Sequence, residues 1–248
     1  MAAIDSSTTV KKKKSKTDGT KGRKKQSPIN ITNVITNQDS MLKASKLKFS
    51  YTIGDLKTIE VTGEGLHAKL MMDALQEIGM FLFSELTASH LPDVYKLWEF
   101  HAHWGTEKDY GSEHLINGKG FSAELHFVFW NKKYGEFNKC LNKYDGLTVL
   151  AVFMQEDSID NENFSPIIDG IRNSLGNLNR KLSYYTYEGS LTSKPFHECV
   201  IWTVLKHPNT ISSKQLELLR QIVPRNCRLQ HPLNERQVKR SFKFVKKS

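Results

Sequence analysis

The chain has 248 residues, 38% hydrophobic and 25% charged, with a formal charge of +10; that suits one sizeable folded unit without a second core, and no apolar run approaches membrane-spanning length. The charge excludes less than it suggests. Residues 1–25 hold nine Lys/Arg against Asp5 and Asp18, leaving +3 for the remainder, so a globally basic binding protein is not indicated.

That basic segment has almost no apolar side chain beyond Ile4 and Val10. It cannot offset its ordering entropy by burial and is expected to be a disordered arm, residues 1–25, ahead of one domain, 26–248. The simplest role is a solubilising extension; a nuclear-localisation patch or a contact with an anionic lipid or nucleic-acid surface is the functional reading. No apolar leader precedes the lysines and neither end carries a lipidation motif.

Short alternating apolar stretches then recur at 46–51, 58–62, 66–71, 94–100, 122–131, 146–153 and 198–205. So many strands with few helical signals predict a mainly β, α+β fold: a large, mostly antiparallel sheet with peripheral helices. Helical periodicity marks 163–175 and 213–222, the latter with Ser212 or Ser213 as N-cap and Leu216, Leu219 and Ile222 along one side. Residues 134–141 add a short helical turn. Cys140, Cys199 and Cys227 are odd in number and lack metal-ligand spacing, which points to reduced thiols in a cytoplasmic protein.

Two of the strands carry the chemistry. In Glu99-Phe100-His101-Ala102-His103 the period of two puts Glu99, His101 and His103 on one face, and in Glu124-Leu125-His126-Phe127-Val128 it does the same for Glu124, His126 and Val128. One H-x-H pair is weak evidence, since a strand histidine is more often structural. A third imidazole, with a carboxylate beside each cluster to fix ring tautomers, points to Zn²⁺ held by His101, His103 and His126 with a fourth position left to water.

With those residues stand others whose order and spacing resemble the α-class carbonic anhydrases, cytosolic type: Gln26-Ser27-Pro28-Ile29-Asn30-Ile31, Gly111-Ser112-Glu113-His114, Ser190-Leu191-Thr192, residues 198–206 and 232–237. The resemblance spans about 26–243. It implies a central twisted sheet of about ten strands with the metal in a conical cleft, and zinc-dependent reversible hydration of CO₂ to bicarbonate and a proton by a zinc-bound hydroxide. It further implies a relay in which Thr192 orients the nucleophile and Glu113 accepts from Thr192, Glu99 and Glu124 as supports of the ligands, and a substrate pocket of Val128, Val149, Leu191, Ser193 and Trp202. Sulfonamide-type inhibitors and a monomeric state are expected on the same ground.

Where the family places a proton-exporting histidine the alignment puts Leu66; His67 is next to it, and a one-residue offset in a strand is expected to turn it to the opposite face. Proton export should then be slow and buffer-dependent, with His67 as the remaining shuttle candidate. Glu99 replaces a glutamine common among relatives and is expected to raise the pKa of bound water. The aromatic N-terminal segment of relatives is missing, and the longer stretch 72–92 has apolar residues at 80–83 that are either core or a partner contact. His90, His114, His197, His207 and His231 show no partner pattern and are assigned to structure or surface. Two other readings are a catalytically weak or silent binding module on the same fold and a cupin-type oxygenase; the latter gives no account of Glu124, His126 or Thr192.

Overall fold

The computed structural model describes residues 22–50, 58–62, 65–69, 85–160 and 182–244. Its strands in chain order are β1 (Asn30–Ile31), β2 (Thr36–Gln38), β3 (Lys48–Ser50), β4 (Thr58–Thr62), β5 (Gly65–Lys69), β6 (Glu85–Thr87), β7 (Tyr95–Trp104), β8 (Leu115–Ile116), β9 (Ala123–Asn131), β10 (Leu147–Asp157), β11 (Tyr184–Gly189), β12 (Val200–Leu205), β13 (Asn209–Ser212) and β14 (Val238–Arg240). Every predicted strand is present.

Among the described residues the main sheet has twelve strands, where about ten were expected, running β2-β14-β11-β12-β10-β9-β7-β5-β4, with β13 beside β10 and β3 joined through β6 to β7. It is mixed, because β10 runs parallel to both β12 and β13 and β14 parallel to β2. β10 sits near the middle and is buried from Leu147 to Met154, which is why it reads as a continuous apolar run rather than an alternating one.

The centre of the sheet is covered on both sides by residues that alternate along the same strands. Phe100, Ala102, Trp104, Leu125, Phe127, Phe129, Leu150 and Val152 belong to one apolar cluster, and Val128, Val149, Ala151, Phe153, Trp202 and Val204 to another. The histidine-bearing positions share the second face.

Two α-helices lie among the described residues, α1 (Phe137–Cys140) and α2 (Ser213–Ile222). Ser212 caps α2 in a reciprocal box with Gln215, as its sequence suggests. Leu216 and Leu219 are buried, but Ile222 is 37% exposed: at 3.6 residues per turn, six positions carry it about 120° away from Leu216. The helix predicted at 163–175 lies outside the described residues, as does the apolar 80–83 segment.

Candidate metal centre

β7 and β9 run antiparallel, and their register fixes the site. Leu97 pairs with Phe129 but Glu99 with Val128, so Trp98 is an extra residue in β7; it stacks on Phe137 with ring centroids 4.3 Å apart. Beyond this bulge Glu99 faces Val128, His101 faces His126 and His103 faces Glu124. Residues directly paired across an antiparallel ladder share a face, so all three imidazoles and both predicted supporting carboxylates lie on one side.

The rings are deeply enclosed, at 5%, 8% and 1% exposure for His101, His103 and His126. Burial pushes His101 down to about 3 against the opposing pull of Glu99, and it lowers His103 against the pull of Glu113. Both rings are therefore neutral at physiological pH, the form in which imidazole binds a metal.

One nitrogen of each ring is turned toward an oxygen. His101 Nδ1 lies 3.3 Å from Glu99 Oε1, His103 Nδ1 is 3.1 Å from the Asn226 carbonyl, and His126 Nε2 is 2.8 Å from Glu124 Oε1. The His103 and His126 contacts are hydrogen bonds and the His101–Glu99 contact is an ion-pair approach; with the ring protons on these nitrogens, lone pairs stand on His101 Nε2, His103 Nε2 and His126 Nδ1. Nε2 of His103 is buried without a hydrogen bond. His101 Nε2 and His126 Nδ1 stand 3.3 Å apart, and a tetrahedral ion with Zn–N bonds of about 2.0–2.1 Å requires donors about 3.3–3.4 Å apart. The three residues offer ligand atoms all within 4.8 Å of one another. The donor set fits Zn²⁺.

Glu99 and Glu124 support the rings from β7 and β9, while Asn226, Glu113 and His114 come from segments with no helix or strand. Asn226 donates from Nδ2 to Ala102 O and accepts at Oδ1 from Trp104 N–H, both at 2.8 Å, so it clips onto β7 like a strand residue and presents its carbonyl to His103. Glu124 is fully buried and accepts from the backbone N–H of Glu113 and His114, while its other oxygen lies 2.6 Å from His114 Nδ1. Burial opposes its charge, but His114 and His126 outweigh that and hold the carboxyl well below the usual range. His114, assigned to structure or surface from sequence, is thus a buried partner of a supporting carboxylate, and its Nε2 lies 2.6 Å from the Tyr187 hydroxyl.

Glu113 enters through a tight crossing at Gly111, where a Cβ would lie 1.8 Å from Ser122 O. Its Oε1 accepts from Arg228 N–H at 2.8 Å and its backbone carbonyl from Gln230 Nε2 at 2.7 Å. Oε2 is buried without a hydrogen bond, 3.5 Å from His103 Nε2 and 3.9 Å from His126 Nδ1. The carboxylate therefore stands beside the ligands, and among the described residues no hydrogen bond joins it to Thr192: its second oxygen turns toward the imidazoles. Thr192 is buried in the loop after β11, which Ser27 and Ser190 fasten by exchanging two N–H···Oγ bonds of 2.9 and 3.0 Å.

Val128, Val149 and Trp202 are consecutive register partners across β9, β10 and β12, all buried, and the Trp202 ring lies 4.9 Å from that of His126. Leu191 packs partly buried against the same cluster, and Ser193 is half-buried. One expectation changes. β5 pairs His67 with His101 and Lys69 with Glu99, so position 67 lies on the ligand face and position 66 on the reverse. The strand's register, set by β7, decides this, and the one-residue offset works the other way round.

Three buried imidazoles on adjacent strands of this sheet form a centre with the donor set of a zinc site. The family described as eukaryotic-type carbonic anhydrase matches residues 11–242. Carbonic anhydrase 3 of Equus caballus is 35% identical over 242 residues, covering 88% of this chain and 90% of the relative; carbonic anhydrase 1 of Oryctolagus cuniculus is 35% identical over 244 residues, covering 88% and 99%. Human carbonic anhydrase 3 is 31% identical over 244 residues. The chain belongs to the eukaryotic-type carbonic anhydrase family, whose enzymes are zinc lyases.

Proposed function

We propose that this protein hydrates CO₂ reversibly to bicarbonate and a proton, with His101, His103 and His126 holding Zn²⁺. The observation that carries the reading is the convergence of three buried nitrogens whose partner nitrogens are each turned to an acceptor. Zn²⁺ bound there supplies a Lewis acid that lowers the pKa of water from about 15.7 to about 7. Glu99, the Asn226 carbonyl and Glu124 fix the tautomers and orientations of the rings. Thr192 accepts the hydrogen of the attacking water and, turning its own hydroxyl to Glu113 Oε2, orients the lone pair toward substrate. Val128, Val149, Leu191 and Trp202 form a dry wall for CO₂, which has no charge to grip, and Ser193 offers a hydroxyl to bicarbonate.

Proton export is the slow step of this proposal. Leu66 cannot titrate, and His67, directly across the ladder from a ligand, offers a first hop with no second imidazole in β5 to continue it. We divide the chain into an arm, 1–25, and a catalytic domain, 26–248; residues 23–25 pack on that domain, Arg23 bonding to Pro195 O and Phe196 O, and Lys25 to Glu188 and Glu198. Beyond the anchor its lysines suit an anionic surface. A monomer in the cytoplasm or nucleus is part of the same proposal; the three cysteines are free, and among the described residues no helix is long and apolar enough to cross a membrane.

Stopped-flow CO₂ hydration on zinc-loaded protein, across buffer concentrations and with an aromatic sulfonamide, tests this. Expected is sulfonamide-sensitive hydration that accelerates with imidazole buffer; equal rates in low and high buffer would contradict slow export. The unformed Thr192–Glu113 bond favours one alternative, a weak or silent module on the same fold. Stoichiometric zinc without hydration at any buffer concentration is its signature.

A further inference from the structure

Away from the imidazoles, a cleft of about 630 Å³ lies between residues 108–120 and 225–230, and its lining includes Lys108, Lys119, Arg225 and Arg228 against one carboxylate, Asp109. Arg228 is engaged, its guanidinium bonded to Gln26 Oε1 and Ser27 O and placed over the Phe196 ring. Asp109 accepts from Gln155 Nε2 at 2.8 Å. Lys108, Lys119 and Arg225 are exposed, and among the described residues none of them makes an ion pair; Arg225 Nε donates only to Cys227 Sγ. Three cations around one concavity repel each other, and the cleft focuses their field onto whatever anion enters. Beside them Tyr110 and Leu229 line the same cleft at 73% and 68% exposure. The volume lies within the range of small-ligand sites, about 300–1,000 Å³.

We infer that this cleft binds a phosphomonoester, with the phosphate among Lys108, Lys119 and Arg225 and an apolar or aromatic body against Tyr110 and Leu229. The site is coupled to the metal centre through backbone. Residues 225–230 supply both donors to Glu113, the Arg228 N–H and Gln230 Nε2, so a ligand that steadies this segment steadies the carboxylate beside the ligands.

The test is calorimetric titration of the full chain with phenyl phosphate and, separately, inorganic phosphate, on zinc-loaded protein saturated with an aromatic sulfonamide and on metal-free protein. Expected is saturable binding of phenyl phosphate in both forms, tighter than that of inorganic phosphate and weakened at least tenfold in a Lys119→Gln/Arg225→Gln double variant. Tyr110→Ala should remove the preference for the phenyl ester, and bound ligand should slow amide exchange at Arg228. Equal affinity in the double variant, absence of saturation, or displacement by sulfonamide would each overturn the site. None of these readouts depends on CO₂ hydration, so failure here and failure of the enzymatic reading are separable.

Discussion

The two faces of the β7–β9 ladder are built from alternate residues of the same strands, yet one is almost pure hydrocarbon and the other concentrates buried polar groups. On the first, Phe100, Ala102, Trp104, Leu125, Phe127 and Phe129 pack into a continuous core. On the second, His101, His103, Glu124 and His126 are buried with Glu113 and His114, beside half-buried Glu99, where each unsatisfied buried polar atom would cost about 1–3 kcal/mol. Glu124 spreads that cost over two backbone N–H groups and two imidazoles, while Nε2 of His103 and Oε2 of Glu113 are buried without a hydrogen bond. Chemistry is confined to the second face, whose apolar residues such as Val128, Val149 and Trp202 also contribute to the core, and His103 Nε2 and Glu113 Oε2 are unsatisfied atoms turned toward the place a cation would occupy.

Exchanging a residue on each face should separate the two. His126→Ala is expected to cut zinc affinity and CO₂ hydration well beyond the roughly 10–100-fold that loss of a supporting acceptor causes, read by metal analysis and stopped-flow assay. Phe127→Ala, one position along β9 and facing the other way, should cost about 3–5 kcal/mol in urea unfolding while the folded fraction keeps its zinc. If His126→Ala unfolded the protein as severely as Phe127→Ala, the division between the faces would fail.

Smaller effects follow from protonation. Burial lowers His90 to about 4 and, together with the neighbouring imidazoles and against Glu99, lowers His101 to about 3, whereas the unfolded chain titrates near 6.5. Below that pH the unfolded state binds protons that the fold refuses. Metal-free protein should therefore lose stability as pH falls from about 6.5 toward 3, by up to about 1.4 kcal/mol per unit for each of these histidines, and none above it. Urea midpoints across that range check the sign. Smallest of all, Glu99→Gln should move the pH–rate profile downward by less than about one unit, since Glu99 stands 3.3 Å from the far nitrogen of His101; an unmoved profile would show that its charge is not felt.

Much of the site was legible because its signals are local. A period of two in two strands is enough to put five polar residues on one face, and the motif around Glu113 lies ten or so residues from the second ligand strand. What escaped was long-range. Asn226 and Gln230 reach the site from an irregular segment more than a hundred residues away, and nothing in an isolated asparagine announces a carbonyl for His103. His114 offered no alternation to read, and only the fold reveals its bond to Glu124. Short strands such as β6, β13 and β14 are held by partners rather than by pattern, and position 67 came to the ligand face through a register that sequence offset alone cannot set.

Zinc-edge X-ray absorption on the zinc-loaded protein tests the three-imidazole centre most directly. Three imidazole nitrogens and one oxygen at about 2.0–2.1 Å are expected. A sulfur near 2.3 Å, or fewer than three imidazoles around the ion, would contradict it.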